Sequence, residues 1–242
     1  RSTLFPYTTL FRSALAYDFF FPDVKDLSPK KALPAVQTDL HSLPDNTMVW
    51  FGHSSYLLNV NNTKLLVDPV FHSASPFPFM VKPFEATYNY SSADMPDTIE
   101  VLIITHDHWD HLDYKVMKEL KDRIGHVVCP LGVGAHFEYW GFDTAKITEL
   151  DWNDETHIAD LKLTCLPTRH FSGRGLKQRQ SLWGSFTLET GTYTIYIGGD
   201  SGYGKHIAEI GKRFPNIDLA LMENGQYNEN WKHIHFLPAD LR

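Results

Sequence analysis

The stretch of sequence that decides the fold is Thr105-His106-Asp107-His108-Trp109-Asp110-His111-Leu112-Asp113, which directly follows the apolar run Val101-Leu102-Ile103-Ile104. Three histidines and two aspartates crowd into the six positions 106–111. A buried strand that ends in such a cluster delivers its side chains to one loop, where neutral imidazole nitrogens and carboxylate oxygens bind Zn²⁺ or a similar transition metal. The stretch therefore predicts a metal-dependent hydrolase.

Length and charge narrow the class of protein. The chain has 242 residues, of which 43% are hydrophobic, and this is enough for one sizeable core in a single domain. Its formal net charge of −7 leaves no basic field to hold a phosphate backbone, so we expect no nucleic-acid partner. No stretch of the sequence approaches the roughly 20 apolar residues of a membrane span.

The two cysteines, Cys129 and Cys165, both lie in apolar, strand-like runs. This placement predicts small core residues rather than a disulfide framework. Low cysteine usage fits a reducing compartment, so we expect a cytoplasmic protein, with membrane association as an option if the substrate is a lipid.

Three segments of the chain differ in character. Residues 1–13 contain a string that resembles the translation of a sequencing-library adapter, and we exclude them from fold reasoning as an artefact. Residues 14–44 form an extended, proline-punctuated lead-in, and residues 45–242 form the predicted hydrolase domain. Since the chain starts without Met and stops abruptly, we expect both natural termini to lie outside it, and the question of a signal peptide stays open.

The order of predicted elements favours two sheets. Residues 48–60 read as two strands around a glycine, residues 64–69 as the returning strand, and residues 70–96, which lack periodicity, as a long loop. The further predicted elements are helices at 112–120, 134–140 and 205–214, strands at 126–130, 147–150 and 217–222, the last one buried, and hairpins at 156–167 and 182–198. This order predicts an α/β fold, an αββα sandwich of two mixed β-sheets with helices on the outer faces.

The spacing within the histidine loop favours two metal sites. His106 and His108 alternate and therefore point to the same side of an extended loop, while Asp110 and His111 lie one turn further on, within reach of a second centre. The competing interpretation is a helix start, in which Asp107 or Asp110 is the N-cap and the histidines lie on the surface.

Further ligands must come from the ends of other strands. His170, Asp200 and His235 each follow a predicted strand, as loop residues at one end of a sheet should. Taken singly, each also has an ordinary explanation, because an aspartate after two glycines is a common turn residue and a histidine near a chain end is often solvated.

Together these residues carry a family resemblance. The order His-x-His-x-Asp-His, a further His, Gly-Asp-Ser and a final His is similar to the ligand order of the metallo-β-lactamase superfamily, and the resemblance covers most of residues 45–242. Several strings look like the branch of phospholipases D that hydrolyse N-acylphosphatidylethanolamine. They are Trp50-Phe51-Gly52-His53-Ser54-Ser55, Asp68-Pro69-Val70-Phe71, Ala74-Ser75-Pro76, His170-Phe171-Ser172-Gly173-Arg174, Ser181-Leu182-Trp183-Gly184-Ser185 and His235-x-x-Pro238.

The resemblance implies a dinuclear zinc site with a defined division of ligands. It assigns one metal to His106, His108 and His170, a second to Asp110, His111 and His235, and makes Asp200 the bridge. It also gives Asp110 and Asp200 the catalytic roles, around a hydroxide shared by the two metals. Mn²⁺ or Fe²⁺ suits the same nitrogen and oxygen ligands as Zn²⁺.

Four residues are predicted to contact the substrate: Arg174, Trp183, Phe71 and Phe79. Arginine makes bidentate contacts with phosphate, and the aromatic-rich residues 71–90 fit an apolar lid or a patch that contacts a membrane. The competing interpretations are a solvated loop for Arg174 and burial in the core for the aromatic rings.

Two neighbours of the site have open roles. His53 either reaches the site floor or, as we expect, is a hydrogen-bonded core histidine. Asp68 either orients a ligand histidine as a second carboxylate or simply ends its strand before Pro69.

The leading functional hypothesis is hydrolysis of a phosphodiester in a phospholipid of the N-acylphosphatidylethanolamine type. A second is hydrolysis of a sugar lactone, as in the ascorbate-6-phosphate lactonases, which share this metal loop. A hypothesis of another class is a non-catalytic metal-binding or interaction module on the same scaffold. The predicted partner is thus a small-molecule or phospholipid substrate, with peripheral membrane contact if it is a lipid.

Overall fold

The structure, a computed structural model, describes residues 29–76, 81, 84–224 and 227–241. The artefact predicted at residues 1–13, most of the lead-in and Phe79 lie outside the described residues. The chain divides into two compact units, Arg1–Ala35 with Phe84–Tyr88 and Val36–Pro83 with Asn89–Arg242. In the described part of the first unit, Leu33 and Ala86 form a parallel β-bridge.

The second unit contains a six-stranded mixed sheet in the order β1-β2-β3-β4-β5-β6. Strands β1 to β3 form an antiparallel meander, whereas β3, β4, β5 and β6 run parallel. The strands are β1 (Thr47–Gly52), β2 (Ser55–Val60), β3 (Thr63–Val67), β4 (Ile99–Ile103), β5 (Ile124–Pro130) and β6 (Ile147–Leu150). The predicted change from hairpins to alternating strands and helices is confirmed.

The same unit contains a five-stranded sheet in the order β11-β10-β9-β8-β7, antiparallel except for the β10–β11 pair. Its strands are β7 (Glu155–Ile158), β8 (Leu161–Leu166), β9 (Ser185–Glu189), β10 (Thr194–Ile197) and β11 (Leu219–Leu221). The helices are α1 (Tyr114–Leu120), α2 (Gly134–Tyr139) and α3 (Lys205–Arg213), with short 3-10 helices at Ser92–Asp94, Lys121–Arg123, Thr144–Lys146, Glu229–Trp231 and Pro238–Leu241.

Alternating side chains of the central strands pack into two separate hydrophobic cores. Leu65 and Val67 of β3 pack with residues of the five-stranded sheet, such as Phe186, whereas Leu66 packs with Val116 of α1. Because both faces of these strands are buried, they read in sequence as continuous apolar runs. Helix α3 packs on the other sheet through Ile210. The predicted αββα sandwich is confirmed.

Helix α1 begins after the histidine loop, with Asp113 as its N-cap. The Asp113 carboxylate accepts hydrogen bonds from the backbone N–H groups of Lys115 and Val116. The competing interpretation, in which Asp107 or Asp110 caps this helix, is therefore wrong. Both carboxylates are left to other partners.

The last strand differs from its prediction. Residues 217–222 were expected to form a buried strand, but β11 has only three residues, and its Leu219 is 42% exposed. The reason is position, because β11 is an edge strand that pairs on one side with β10. Sequence hydrophobicity does not distinguish an edge strand from a central one.

Two smaller expectations concern the cysteines and membrane spans. Cys129 and Cys165 are both buried and free, as predicted. Within the described residues, no helix is long and apolar enough to cross a membrane.

The layer between the two sheets predicts a large stability difference between two apolar positions. Phe186 is fully buried there, so Phe186→Ala should lower the free energy of unfolding by about 3–5 kcal/mol. Leu219→Ala, on the exposed edge strand, serves as the control and should cost less than about 1 kcal/mol. Urea denaturation measures both, and equal losses would contradict this layer assignment.

Candidate metal centre

The polar residues of the site lie where strands end. Asp68 follows β3, the loop of residues 106–111 follows β4, His170 follows β8, Asp200 follows β10 and Glu223 follows β11. The carboxyl ends of parallel strands share one edge of a sheet, which is where open α/β folds bind ligands. The structure brings His106, His108, His170 and Asp200 together at this edge, as predicted.

Three imidazoles form the first cluster. His106 Nε2 lies 2.9 Å from His108 Nδ1, which lies 3.2 Å from His170 Nε2. Burial lowers the pKa of His106 and His108, and it lowers that of His170 to about 4. The rings are therefore neutral at physiological pH and offer lone pairs, as metal ligands must.

Asp200 is the centre of the whole arrangement. Its Oδ2 lies 3.9 Å from His106 Nε2, 3.6 Å from His170 Nε2 and 3.7 Å from His235 Nδ1, and its Oδ1 lies 3.3 Å from His111 Nε2. Burial opposes ionisation of this carboxyl, but the surrounding histidines, His111 first, hold its pKa well below its usual range. Asp200 is therefore a carboxylate that faces ligands on both sides.

The second cluster consists of His53, Asp110 and His111, whose candidate ligand atoms lie within 4.8 Å of one another. Burial raises the pKa of Asp110, but the hydrogen bond with His53 and the proximity of His111 outweigh it and lower the pKa to about 2. His235, predicted to share a metal with Asp110 and His111, instead groups with His170 and Asp200.

His111 provides the test of whether the site suits a cation. Its Nδ1 donates to Asp68 Oδ2 at 2.8 Å, and its buried Nε2 faces Asp200 Oδ1 at 3.3 Å without a hydrogen bond of good geometry. Burial disfavours a charged ring, but Asp200 and Asp68 raise the pKa of His111 well above its usual value. The surroundings thus call for positive charge at this point, and a metal ion at Nε2 supplies it. The residues fit a metal.

Carboxylates and carbonyls orient the candidate ligand histidines. Asp68 also accepts from the backbone N–H and hydroxyl of Thr105, at 2.8 and 2.6 Å, which favours the orienting role over simple strand termination. His170 Nδ1 donates to the carbonyl of Ile234 at 2.8 Å. Such partners fix the tautomer and the direction of a ligand ring.

Glu223 is a site residue that the sequence reasoning missed. Its Oε2 lies 2.7 Å from His235 Nδ1, and its Oε1 accepts from the backbone N–H of Ser201 at 2.7 Å. Glu223 therefore links His235 to the loop that carries Asp200. The signal was available, since Glu223 is a carboxylate directly after the last predicted strand, like Asp68 and Asp200 after theirs.

The histidine loop is anchored to residues 173–181 by the Asp107 side chain and by Arg174. Asp107 accepts from the Gly173 N–H at 2.6 Å and from the Ser181 hydroxyl at 2.9 Å. Arg174 Nη1 donates to the carbonyls of Asp107 and Leu112 at 3.1 and 2.6 Å, and its guanidinium lies 3.9 Å from the Trp109 ring. Arg174 is thus only partly exposed, and its guanidinium is bound to the loop.

The other predicted substrate residues have structural contacts. Trp183 Nε1 donates to the Thr168 carbonyl at 3.0 Å. The Phe71 ring packs on Phe51 at 5.5 Å, as does Tyr90 at 4.9 Å, so these two rings of residues 71–90 are partly buried against the core. Phe79 lies outside the described residues.

His53 departs from its expected place. It was expected in the core, but its side chain is 55% exposed, and its Nε2 lies 3.2 Å from Asp110 Oδ2. The tight turn between β1 and β2 carries it outward, so the option that it reaches the site is the correct one.

Curated proteins that resemble this chain in sequence include the following two. An uncharacterised protein of Mycobacterium tuberculosis is 37% identical over 193 residues, which cover 79% of this chain and 52% of that protein. The N-acyl-phosphatidylethanolamine-hydrolyzing phospholipase D 1 of Caenorhabditis elegans is 26% identical over 218 residues, covering 84% of this chain and 60% of that protein. The chain spans about half the length of the curated relatives it matches.

Among solved structures, CmlA, a diiron β-hydroxylase from Streptomyces venezuelae, superposes with a TM-score of 0.58 at 19% identity and covers 74% of this chain and 35% of that one. This likeness supports the fold. The model of the β-lactamase superfamily domain matches residues 63–241. Since this match spans both sheets from β3 onward and all the proposed metal ligands, the chain belongs to the metallo-β-lactamase superfamily of metal-dependent hydrolases.

Proposed function

We propose that this chain binds two metal ions and hydrolyses the phosphodiester of a phospholipid of the N-acylphosphatidylethanolamine type. The observation that carries the two-metal site is Asp200, a buried carboxylate between two clusters, one of three histidines and one that includes Asp110 and His111. The orphaned Nε2 of His111, which faces Asp200, marks the second position.

The ligands divide between the two ions by cluster. His106, His108 and His170 would hold the first, Asp110 and His111 would hold the second, and Asp200 would serve both. His235, which the resemblance assigns to the second ion, lies beside Asp200, where its Glu223 partner sets the ring. Zn²⁺ is the expected ion, and Mn²⁺ or Fe²⁺ suits the same donors.

Bound ions of this kind act as Lewis acids and lower the pKa of water to near neutrality. Asp110 and Asp200, both ionised at neutral pH, offer carboxylate oxygens that would accept a hydrogen bond from an attacking water and orient it. The His53 side chain is largely exposed and that of Asp110 is half-buried. Substrate therefore has access to the second metal position.

Support for the lipid substrate comes from resemblance. The Caenorhabditis elegans relative, named for hydrolysis of N-acylphosphatidylethanolamine, aligns with 84% of this chain. The strings quoted around His53, Asp68, His170, Trp183 and His235 point the same way.

Loss of Asp200 or His108 should remove metal and turnover together. We expect wild-type protein to bind two ions per chain and Asp200→Ala and His108→Ala to bind fewer, because each removes a ligand. Elemental analysis of dialysed protein and a hydrolysis assay measure both quantities. Asp160→Ala, at an exposed carboxylate, is the control. Retention of both ions and full activity by Asp200→Ala would sink the assignment.

The substrate is tested by three compounds in parallel. N-Acylphosphatidylethanolamine, bis-p-nitrophenyl phosphate and a phosphorylated sugar lactone are offered to the same zinc-loaded preparation. We expect turnover of both phosphodiesters, with the lipid preferred. Turnover of the lactone alone would reject the phospholipase activity, and no turnover of any of the three by protein that binds two ions would favour the non-catalytic module.

Substitution of Arg174 distinguishes a role in substrate binding from a structural role. Because its guanidinium donates to carbonyls of the histidine loop, Arg174→Ala should destabilise the fold by about 1.5–3 kcal/mol and lower metal content. Thermal unfolding and elemental analysis measure these effects. A variant with wild-type stability and both ions, but a raised KM for phosphodiesters, would instead establish Arg174 as a phosphate-binding residue.

A further inference from the structure

His53 lies at a strained turn that aims it at the metal loop. Its φ is 46°, in the left-handed region, directly after Gly52 with a φ of 115°. The Trp50 indole N–H donates to the His53 carbonyl at 2.8 Å and fixes the turn. In the next turn, between β2 and β3, the residues in the left-handed region are Asn61 and Asn62, and asparagine tolerates this conformation. Histidine is uncommon in this conformation, so the contact that the turn creates is of interest.

The contact that this turn creates is with Asp110. The Nε2 of His53 lies 3.2 Å from Asp110 Oδ2, and the His53 ring lies 5.2 Å from the His111 ring. A neutral imidazole that carries its proton on Nε2 donates a hydrogen bond across this distance. Two other proposed ligands already have such partners, since Asp68 orients His111 and the Ile234 carbonyl orients His170.

We propose that His53 is a positioning residue for the second metal ion, an inference that rests on the proposed two-metal function. Its Nε2–H donates to Asp110 Oδ2 and fixes the carboxylate, which leaves the other oxygen as the one that would hold the ion. His53 thus does for Asp110 what Asp68 does for His111. Loss of such a partner typically weakens metal binding 10–100-fold.

Two variants separate positioning from direct coordination. His53→Gly removes the imidazole without strain, because a positive φ suits glycine. His53→Gln keeps an N–H donor at a similar distance from the backbone. Zinc titration of metal-free protein against a chelating indicator yields both dissociation constants, and thermal unfolding confirms that each variant is folded.

We expect His53→Gly to weaken the second site about 10–100-fold and leave the first unchanged, and His53→Gln to recover most of that loss. His72→Gly and His72→Gln form the matched control, because His72 Nε2 pairs with Glu119 at 3.0 Å outside the site. Their zinc affinities should equal those of the wild type.

Two results would overturn the proposal. Wild-type affinity of the second site in His53→Gly would mean that His53 does not act on the metal, and a His53→Gln variant as weak as His53→Gly would indicate direct coordination by the imidazole. Wild-type protein that binds fewer than two ions would instead refute the proposed two-metal function, so the two failures are distinguishable.

Discussion

The buried carboxylate of Asp200 is the group on which the rest of the site depends. It is surrounded by the rings of His106, His111, His170 and His235 and is only 5% exposed. A buried charge is costly unless it is compensated, and burial itself keeps His106 and His170 neutral. On the side of His106 and His170, negative charge and nitrogen lone pairs therefore face each other. Metal cations satisfy both at once.

The sandwich is what makes this arrangement possible. The parallel strands β3 and β4 carry Asp68 and the histidine loop to one edge, and β8 and β10 of the other sheet carry His170 and Asp200 there. Because these strands are buried on both faces, their ends are rigid supports for ligands. Hydrogen bonds from Thr105 and His111 to Asp68 then connect the end of β4 directly to the end of β3.

The parts of the site that the sequence predicts are those that depend on neighbours in the chain. His106, His108, Asp110 and His111 share one loop, and His170 and Asp200 follow recognisable strands, so their convergence was predictable. The order and layering of the sheets followed in the same way from the alternation of apolar runs.

What the sequence did not predict depends on partners far along the chain. His53 reaches Asp110 because its turn adopts a left-handed conformation, and Glu223 meets His235 across a loop. The division of His235 from Asp110 and the exposure of β11 depend likewise on which strand lies beside which. Arginine is a residue type that often binds phosphate, yet Arg174 lies behind the histidine loop, where its partners are backbone carbonyls.

The most direct test of the two-metal site is an anomalous difference map at the zinc absorption edge, from crystals of the zinc-loaded protein. We predict two peaks on either side of Asp200, one against His106, His108 and His170 and one against Asp110 and His111. A single peak, or none at Asp200, would contradict the account.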